Sequence, residues 1–299
     1  MSRPPVKVGL NIVWVKPENL VEFGVAAEAL GYESLWSGEH VCLPMTPDWW
    51  KKFPGAEALG DAFTEEMVPF GPDSIFLDPM IALAHLAAAT QTVRLGIGIY
   101  MLALRDPVLV GRMIATLDVL SNGRLDMAIG LGWNEDEYRF TNSAWKTRGR
   151  RMNETIAALR VLFDEEHPEF HGEFFDFPPI GFQPKPVQRP RLPIHVGGGG
   201  PPAVRRAATL GDGWYGSPMN IPEIRDELRN AGREHDPFEF STITLQGPVP
   251  IDQLEQMAEM GVHRVVVTPW AGTRVGEVGR EGLAALEQYA DEIGLRGRA

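Results

Sequence analysis

Eight short apolar runs, each followed by a stretch with helical spacing, constrain the fold of this chain more than any other feature of its sequence. The runs lie at residues 6–13, 33–38, 93–99, 124–130, 194–196, 214–216, 238–245 and 262–268. Their apolar residues do not strictly alternate with polar ones. That is the pattern of strands buried on both faces of a parallel sheet. Between them lie helix signals. Leu20, Phe23, Ala27 and Leu30 recur at helical spacing and stop at Gly31. Asp78-Pro79 caps and opens another helix, with Ile81, Leu83, Ala84 and Leu86. The last carries Leu283, Leu286, Tyr289 and Ile293 on one stripe. Eight such units predict an α/β fold, a closed (β/α)8 TIM barrel, and 299 residues suit it. A doubly wound sheet usually needs fewer strands and an early dinucleotide fingerprint. No fixed-period repeat, low-complexity tract or linker divides the chain, so residues 1–299 are read as a single domain.

Two stretches break the alternation. Residues 41–77 carry prolines and Trp49, Trp50, Phe53, Phe63 and Phe70 without a sustained period. An insertion of this length after the second strand is usually functional, or a lid. Residues 164–192 are proline-rich and read as irregular.

Bulk properties exclude several classes of partner. The formal net charge of −12 argues against nucleic acid or an anionic membrane. The single cysteine, Cys42, rules out an intrachain disulfide and any cysteine-based metal cluster, and it reads as a pocket filler, with a reactive thiol as the alternative. No apolar run approaches the roughly 18 residues of a membrane span, and no leader signal is visible. The expectation is a cytoplasmic protein with a small-molecule substrate and no metal.

The richest chemical signal is PIHVGGGGPPAVRRAATLGDGWYGS, residues 193–217. An apolar strand runs into Gly197, Gly198, Gly199 and Gly200, then Pro201-Pro202 and a helix-like run from Ala203. Glycines admit positive φ and close backbone approach. Prolines suit the first helical turn. The remaining amides at a helix start, with the helix dipole, form an anion site, typically for phosphate. The competing reading is a glycine-rich turn that only packs.

In a barrel of this kind, chemistry sits where the strands end. Glu39-His40 follows the second strand. A histidine there can give or take a proton, and the glutamate could orient it or bond a cofactor ring. The alternative is a helix-capping or salt-bridging pair. Gly130-Leu131-Gly132 follows the fourth strand, beside Trp133. It lacks the third glycine of a dinucleotide fingerprint, and the acidic run 134–137 would repel phosphate, so approach to a flat ring or a tight turn remain as readings. Gly96 and Gly98 inside the third strand suggest a bulge, a close ligand or packing. Arg148, Arg150 and Arg151 open a helix against its dipole and are expected to pair with carboxylates. His167 and His171 have helical metal spacing, but Pro168 argues against a helix there.

The segments GYESLWSGEH (31–40), LRDPVLVGRMIATLDVLSNGRLDMAIGLGW (104–133), FQPKPVQRPRLPIHVGGGGPPAVRRAATLGDGW (182–214) and HRVVVTPW (263–270) occur in an order that resembles the bacterial-luciferase-like flavin-dependent oxidoreductases. The resemblance runs along nearly the whole chain and implies a TIM barrel that binds FMN or the deazaflavin coenzyme F420, with wording closest to the F420-dependent branch. It places the phosphate on Gly197 to Gly200 and Ala203, helped by Gly216 and Ser217. The ring would touch Glu39, Gly98, Ile99 and Gly132. Members often carry a non-proline cis peptide in the third strand, and Gly98-Ile99 is the matching place. His40 matches a histidine that donates protons in some deazaflavin enzymes. Some relatives have a catalytic glutamate after the Gly-x-Gly of the fourth strand; Trp133 stands there in this sequence.

The resemblance thus implies a deazaflavin-dependent oxidoreductase exchanging hydride with a small organic substrate, with His40 and Glu39 as the catalytic pair. The alternatives are an FMN- and oxygen-using monooxygenase and a non-catalytic flavin-binding protein. Relatives are often dimers, so a homodimer is an expectation as well.

Overall fold

In the computed structural model, which describes residues 4–245 and 247–296, eight parallel strands close on themselves. They are β1 (Lys7–Asn11), β2 (Ser34–Ser37), β3 (Arg94–Tyr100), β4 (Leu125–Ile129), β5 (Ile194–Gly197), β6 (Gly213–Tyr215), β7 (Glu239–Ile243) and β8 (Arg264–Val267). Each pairs with its neighbours in chain order, and β1 pairs with β8 through Lys7↔Arg264 and Leu10↔Val267 to close the barrel. Eight helices pack outside: α1 (Leu20–Leu30), α2 (Pro79–Ala89), α3 (Pro107–Leu120), α4 (Arg148–Asp164), α5 (Pro201–Leu210), α6 (Ile221–Asn230), α7 (Ile251–Glu259) and α8 (Leu283–Glu292). Helix starts follow from local chemistry. Asp78 accepts from the Ile81 amide at 3.1 Å and Asp106 from the Val108 amide at 2.9 Å, each followed by a proline. Gly31 ends α1 with φ of 91°, a left-handed position where a side chain is costly. No helix among the described residues is long and apolar enough to cross a membrane.

The irregular stretches hold more structure than their sequence suggests. Phe170–His171 and Asp176–Phe177 form a small antiparallel hairpin. His171 is exposed on it, bonded to Asp176 and Glu169. The insertion contains the helix Ala56–Leu59 and the 3-10 turns Trp49–Lys52, Gly60–Ala62 and Glu65–Met67. Residues 134–146 contain the helix Glu135–Phe140. The three arginines opening α4 do not behave alike. Arg150 pairs with Glu173, whereas Arg148 lies 3.4 Å from the Trp145 ring centroid and Arg151 donates to the Ala103 carbonyl.

Glycines inside the barrel make room for two large aromatics. A Cβ on Gly96 would sit 2.2 Å from the Trp36 indole, and one on Gly98 would sit 2.6 Å from Cζ of Tyr215. Trp36 and Tyr215 stack at 4.8 Å. Below them, at the N-terminal end of the barrel, Arg264 is 1% exposed and pairs with Glu33, Asp126 and Glu239. Burial by itself would raise the Asp126 carboxyl, but Arg264 and Arg94 outweigh it and hold it well below the usual carboxylate range. A cleft of about 880 Å³ opens here, lined by Arg94, Asp126, Asp212, Glu239 and Arg264 among others. Its carboxylates are paired: Asp126 to Arg94 and Arg264, Asp212 to Arg160 and Arg191, Glu239 to Lys7 and Arg264. That is the arrangement of a structural plug.

His195 on β5 belongs to this end. It is buried, its Nδ1 has no hydrogen-bond partner among the described residues, and burial pushes its pKa below the ordinary histidine value. The folded state therefore keeps the ring neutral, while the unfolded chain takes up a proton below about pH 6.5. The stability this contributes at neutral pH is lost as pH falls through that range. The urea midpoints of the natural protein and of His195→Gln should converge on acidification, and a constant gap between them would contradict this assignment.

Candidate active site

The C-terminal strand ends gather most of the residues singled out by the sequence. Glycine allows β5 to run into α5 through an extended, side-chain-free turn. Gly198 and Gly200 have φ of 136° and 75°, and Pro201 and Pro202 occupy the first helical turn. Among the described residues, the amides of Gly198, Gly199 and Gly200 donate to no protein acceptor, and all three glycines are exposed. No side chain among the described residues caps the helix. A Cβ on Gly199 would meet nothing within 4 Å. Three free, open amides at the positive end of a ten-residue helix fit a phosphate group.

The neighbouring candidates divide. The Gly197 amide is part of the β-ladder, the Ala203 amide donates to the Gly200 carbonyl at 3.1 Å, and the Gly216 amide donates to Ser241 at 3.0 Å. None of these three amides is free for an anion, which narrows the cradle to Gly198–Gly200. Ser217 is exposed and caps the following turn by accepting from the Met219 amide at 3.3 Å.

At the top of β3 the Gly98–Ile99 peptide is cis, at the place the resemblance indicated. The pairing with β4 skips Ile99, passing from Gly98↔Ala128 to Tyr100↔Ile129. The Ile99 side chain fills the space that a Cβ on Gly130 or Gly197 would claim, 2.6 and 2.2 Å away. Gly132, at φ of 68°, similarly leaves room for the Met101 sulfur, 2.6 Å from where its Cβ would lie. Packing within the chain thus accounts for glycine at positions 130, 132 and 197.

Glu39 and His40 follow β2 but do not act on each other. Glu39 accepts from the Met101 amide at 2.9 Å and pairs with Arg105, whose guanidinium lies 3.9 Å from the Tyr100 ring centroid. Burial raises the Glu39 carboxyl above its ordinary range despite Arg105. The expectation that Glu39 orients His40 is therefore corrected: Glu39 ties β2 to β3, and the partner of His40 is Glu137. His40 Nδ1 lies 3.2 Å from Oε2 of Glu137, whose Oε1 accepts the Val41 amide at 2.8 Å. The Glu137 side chain is fully buried and that of His40 is 11% exposed. Around the imidazole stand Phe70 at 4.9 Å, Phe76 at 5.1 Å and Trp133 at 5.5 Å between ring centroids.

Glu137 reaches this position because Asn134 caps its short helix, accepting from the Asp136 amide at 3.0 Å, and three acids occupy the favourable first turn. The acidic run is not a free negative patch. Asp136 pairs with Lys52 of the insertion at 2.9 Å and with Arg139 at 2.8 Å. On its other side the insertion meets the loop after β8, where the Val275 amide donates to Pro69 at 2.9 Å. It thus bridges the β4 and β8 sides of the barrel mouth. Cys42 is partly buried within it, its thiol pushed up by burial and by Glu137.

Comparison with known proteins agrees with the geometry. The luciferase-like monooxygenase family model matches residues 4–292. An uncharacterized Mycobacterium tuberculosis protein is 31% identical over 278 residues, covering 90% of this chain and 92% of that one. An F420-dependent glucose-6-phosphate dehydrogenase from Kineococcus radiotolerans is 28% identical, covering 77% of this chain and 64% of its own length. The oxygenase component of a flavin-dependent trigonelline monooxygenase from Acinetobacter baylyi is 29% identical, covering 60% and 42%. Among solved structures, an F420-dependent secondary alcohol dehydrogenase superposes with a TM-score of 0.73 at 16% identity, covering 98% of this chain and 99% of that one. With a barrel of this topology, a free-amide cradle after β5 and a family match across almost its entire length, the chain belongs to the luciferase-like monooxygenase family of flavin- and F420-dependent oxidoreductases.

Proposed function

We propose that this protein is an F420-dependent oxidoreductase that transfers hydride between the deazaflavin and a small organic substrate. The observation that carries the reading is the pairing, at one end of one barrel, of a cradle of three free amides with a histidine held by a buried carboxylate. When bound, the deazaflavin supplies a hydride donor or acceptor. The chain supplies the rest. Gly198, Gly199 and Gly200 hold the phosphate, and the strand ends at Gly98-Ile99 and Gly132 offer backbone for the ring. His40 exchanges a proton at Nε2, while Phe70, Phe76 and Trp133 keep water from it. Glu39 supports the site from beneath by joining β2 to β3. A second reading, FMN with oxygen, is supported by the similarity to a flavin-dependent monooxygenase.

Equilibrium titration of the purified protein with F420 and with FMN, followed by fluorescence, tests both. The expected result is tight F420 binding and weak FMN binding. The reverse preference would replace the first reading with the second, and binding of neither would overturn the phosphate assignment.

A further inference from the structure

We propose that Glu137 is a positioning residue that holds His40 with its proton on Nδ1, so that the Nε2 lone pair faces the barrel mouth as the proton-exchanging atom. The catalytic part of this inference rests on the function proposed above; the tautomer does not. Two nitrogens converge on the Glu137 carboxylate. The Val41 amide reaches Oε1 at 2.8 Å and His40 Nδ1 reaches Oε2 at 3.2 Å. A carboxylate has acceptors only, so the imidazole must be the donor. The carboxylate is fully buried, and among the described residues no lysine or arginine pairs with it. A buried carboxylate without a cationic partner depends on the donors it has. Its removal would free both the ring and the backbone at the top of β2.

Nε2 has no hydrogen-bond partner among the described residues. With Nδ1 committed to Glu137, it is left as an acceptor, walled by Phe70, Phe76 and Trp133. Those walls are apolar. The fragment that reaches Nε2 is therefore an uncharged one carrying an O–H or N–H. Glu137 also lies on a different element from His40, 97 residues away. The short helix Glu135–Phe140 thus sets the ring orientation from across the mouth.

Glu137→Gln is the decisive variant. Its amide oxygen still accepts from Val41, but its NH₂ donates to Nδ1 and forces the proton to Nε2. Long-range ¹H–¹⁵N spectra of histidine-labelled protein, taken at a pH where the ring is neutral, report which nitrogen is protonated. His40→Gln assigns the signals among the seven histidines. The expected result is Nδ1–H in the natural protein and Nε2–H in Glu137→Gln. Carbethoxylation of His40 by diethyl pyrocarbonate, which needs a free lone pair, should be markedly slower in the variant, where Nε2 carries the proton and Nδ1 accepts from the amide. Nε2–H in the natural protein, or the same tautomer in both proteins, would overturn the proposal. If the variant does not fold, the natural protein's spectrum decides alone. Failure of F420 and FMN to bind would remove the functional reading and leave the tautomer result standing, so the two failures are distinguishable.

Discussion

Arg264→Met should destabilise the protein by about 3–5 kcal/mol, because the change removes one partner of a buried ion cluster and leaves the other charges behind. Arg264 holds Glu33, Asp126 and Glu239 together while itself 1% exposed. The Asp126 carboxyl loses most, since it is nearly as buried and keeps only Arg94. Urea denaturation at equilibrium checks this, with a lower midpoint and an unchanged slope expected. Adding Asp126→Asn should recover part of the loss, because the cost lies in the stranded charge. A loss below about 1 kcal/mol would place the cluster with ordinary surface pairs.

Gly199 offers the second large effect, on binding. A Cβ there meets nothing within 4 Å and the backbone is outside the left-handed region, so Gly199→Ala should fold and bind the cofactor nearly as well as the natural protein. Gly199→Asp fits equally well but brings a carboxylate to the three free amides. Like charges forced together cost several kcal/mol. Affinity for the phosphate-bearing cofactor should fall by about 100-fold or more, roughly 2.7 kcal/mol. Fluorescence titration of both variants reads the difference. Equal binding by alanine and aspartate variants would move the phosphate elsewhere.

The barrel was legible because each of its strands is a short apolar run and each is followed by a helix with recognisable punctuation. The phosphate cradle was legible for a related reason: its parts are consecutive, and glycine, proline and a helix start have a local meaning. Its limits were not. That the amides of Gly197, Ala203 and Gly216 are already bonded depends on ladder register and on the Gly200 and Ser241 carbonyls. The partner of His40 was hidden more deeply. Adjacency in the chain suggests Glu39, but the pairing of β2 with β3 and of β3 with β4 brings Glu137 to the ring, while Glu39 turns to Arg105. The run 134–137 reads as a repellent patch, whereas Asp136 pairs with Lys52 and Arg139 and Glu137 turns inward to His40. The small hairpin at Phe170–His171 and Asp176–Phe177 is too short for any periodicity to reveal.

The stacked interior also has a consequence for redesign. The Arg264 guanidinium lies 5.3 Å from the Trp36 ring, Trp36 rests on Tyr215, and Tyr215 touches Gly98 beneath the cis peptide. This is a continuous column from the floor of the molecule to its working surface, with no slack layer to absorb a change in volume. Alterations made inside the barrel for thermal robustness would be felt where the cofactor is proposed to rest. Substitutions on the outward faces of α6 and α7 avoid that route, so tolerance to engineering should be greatest at the periphery and least along the axis.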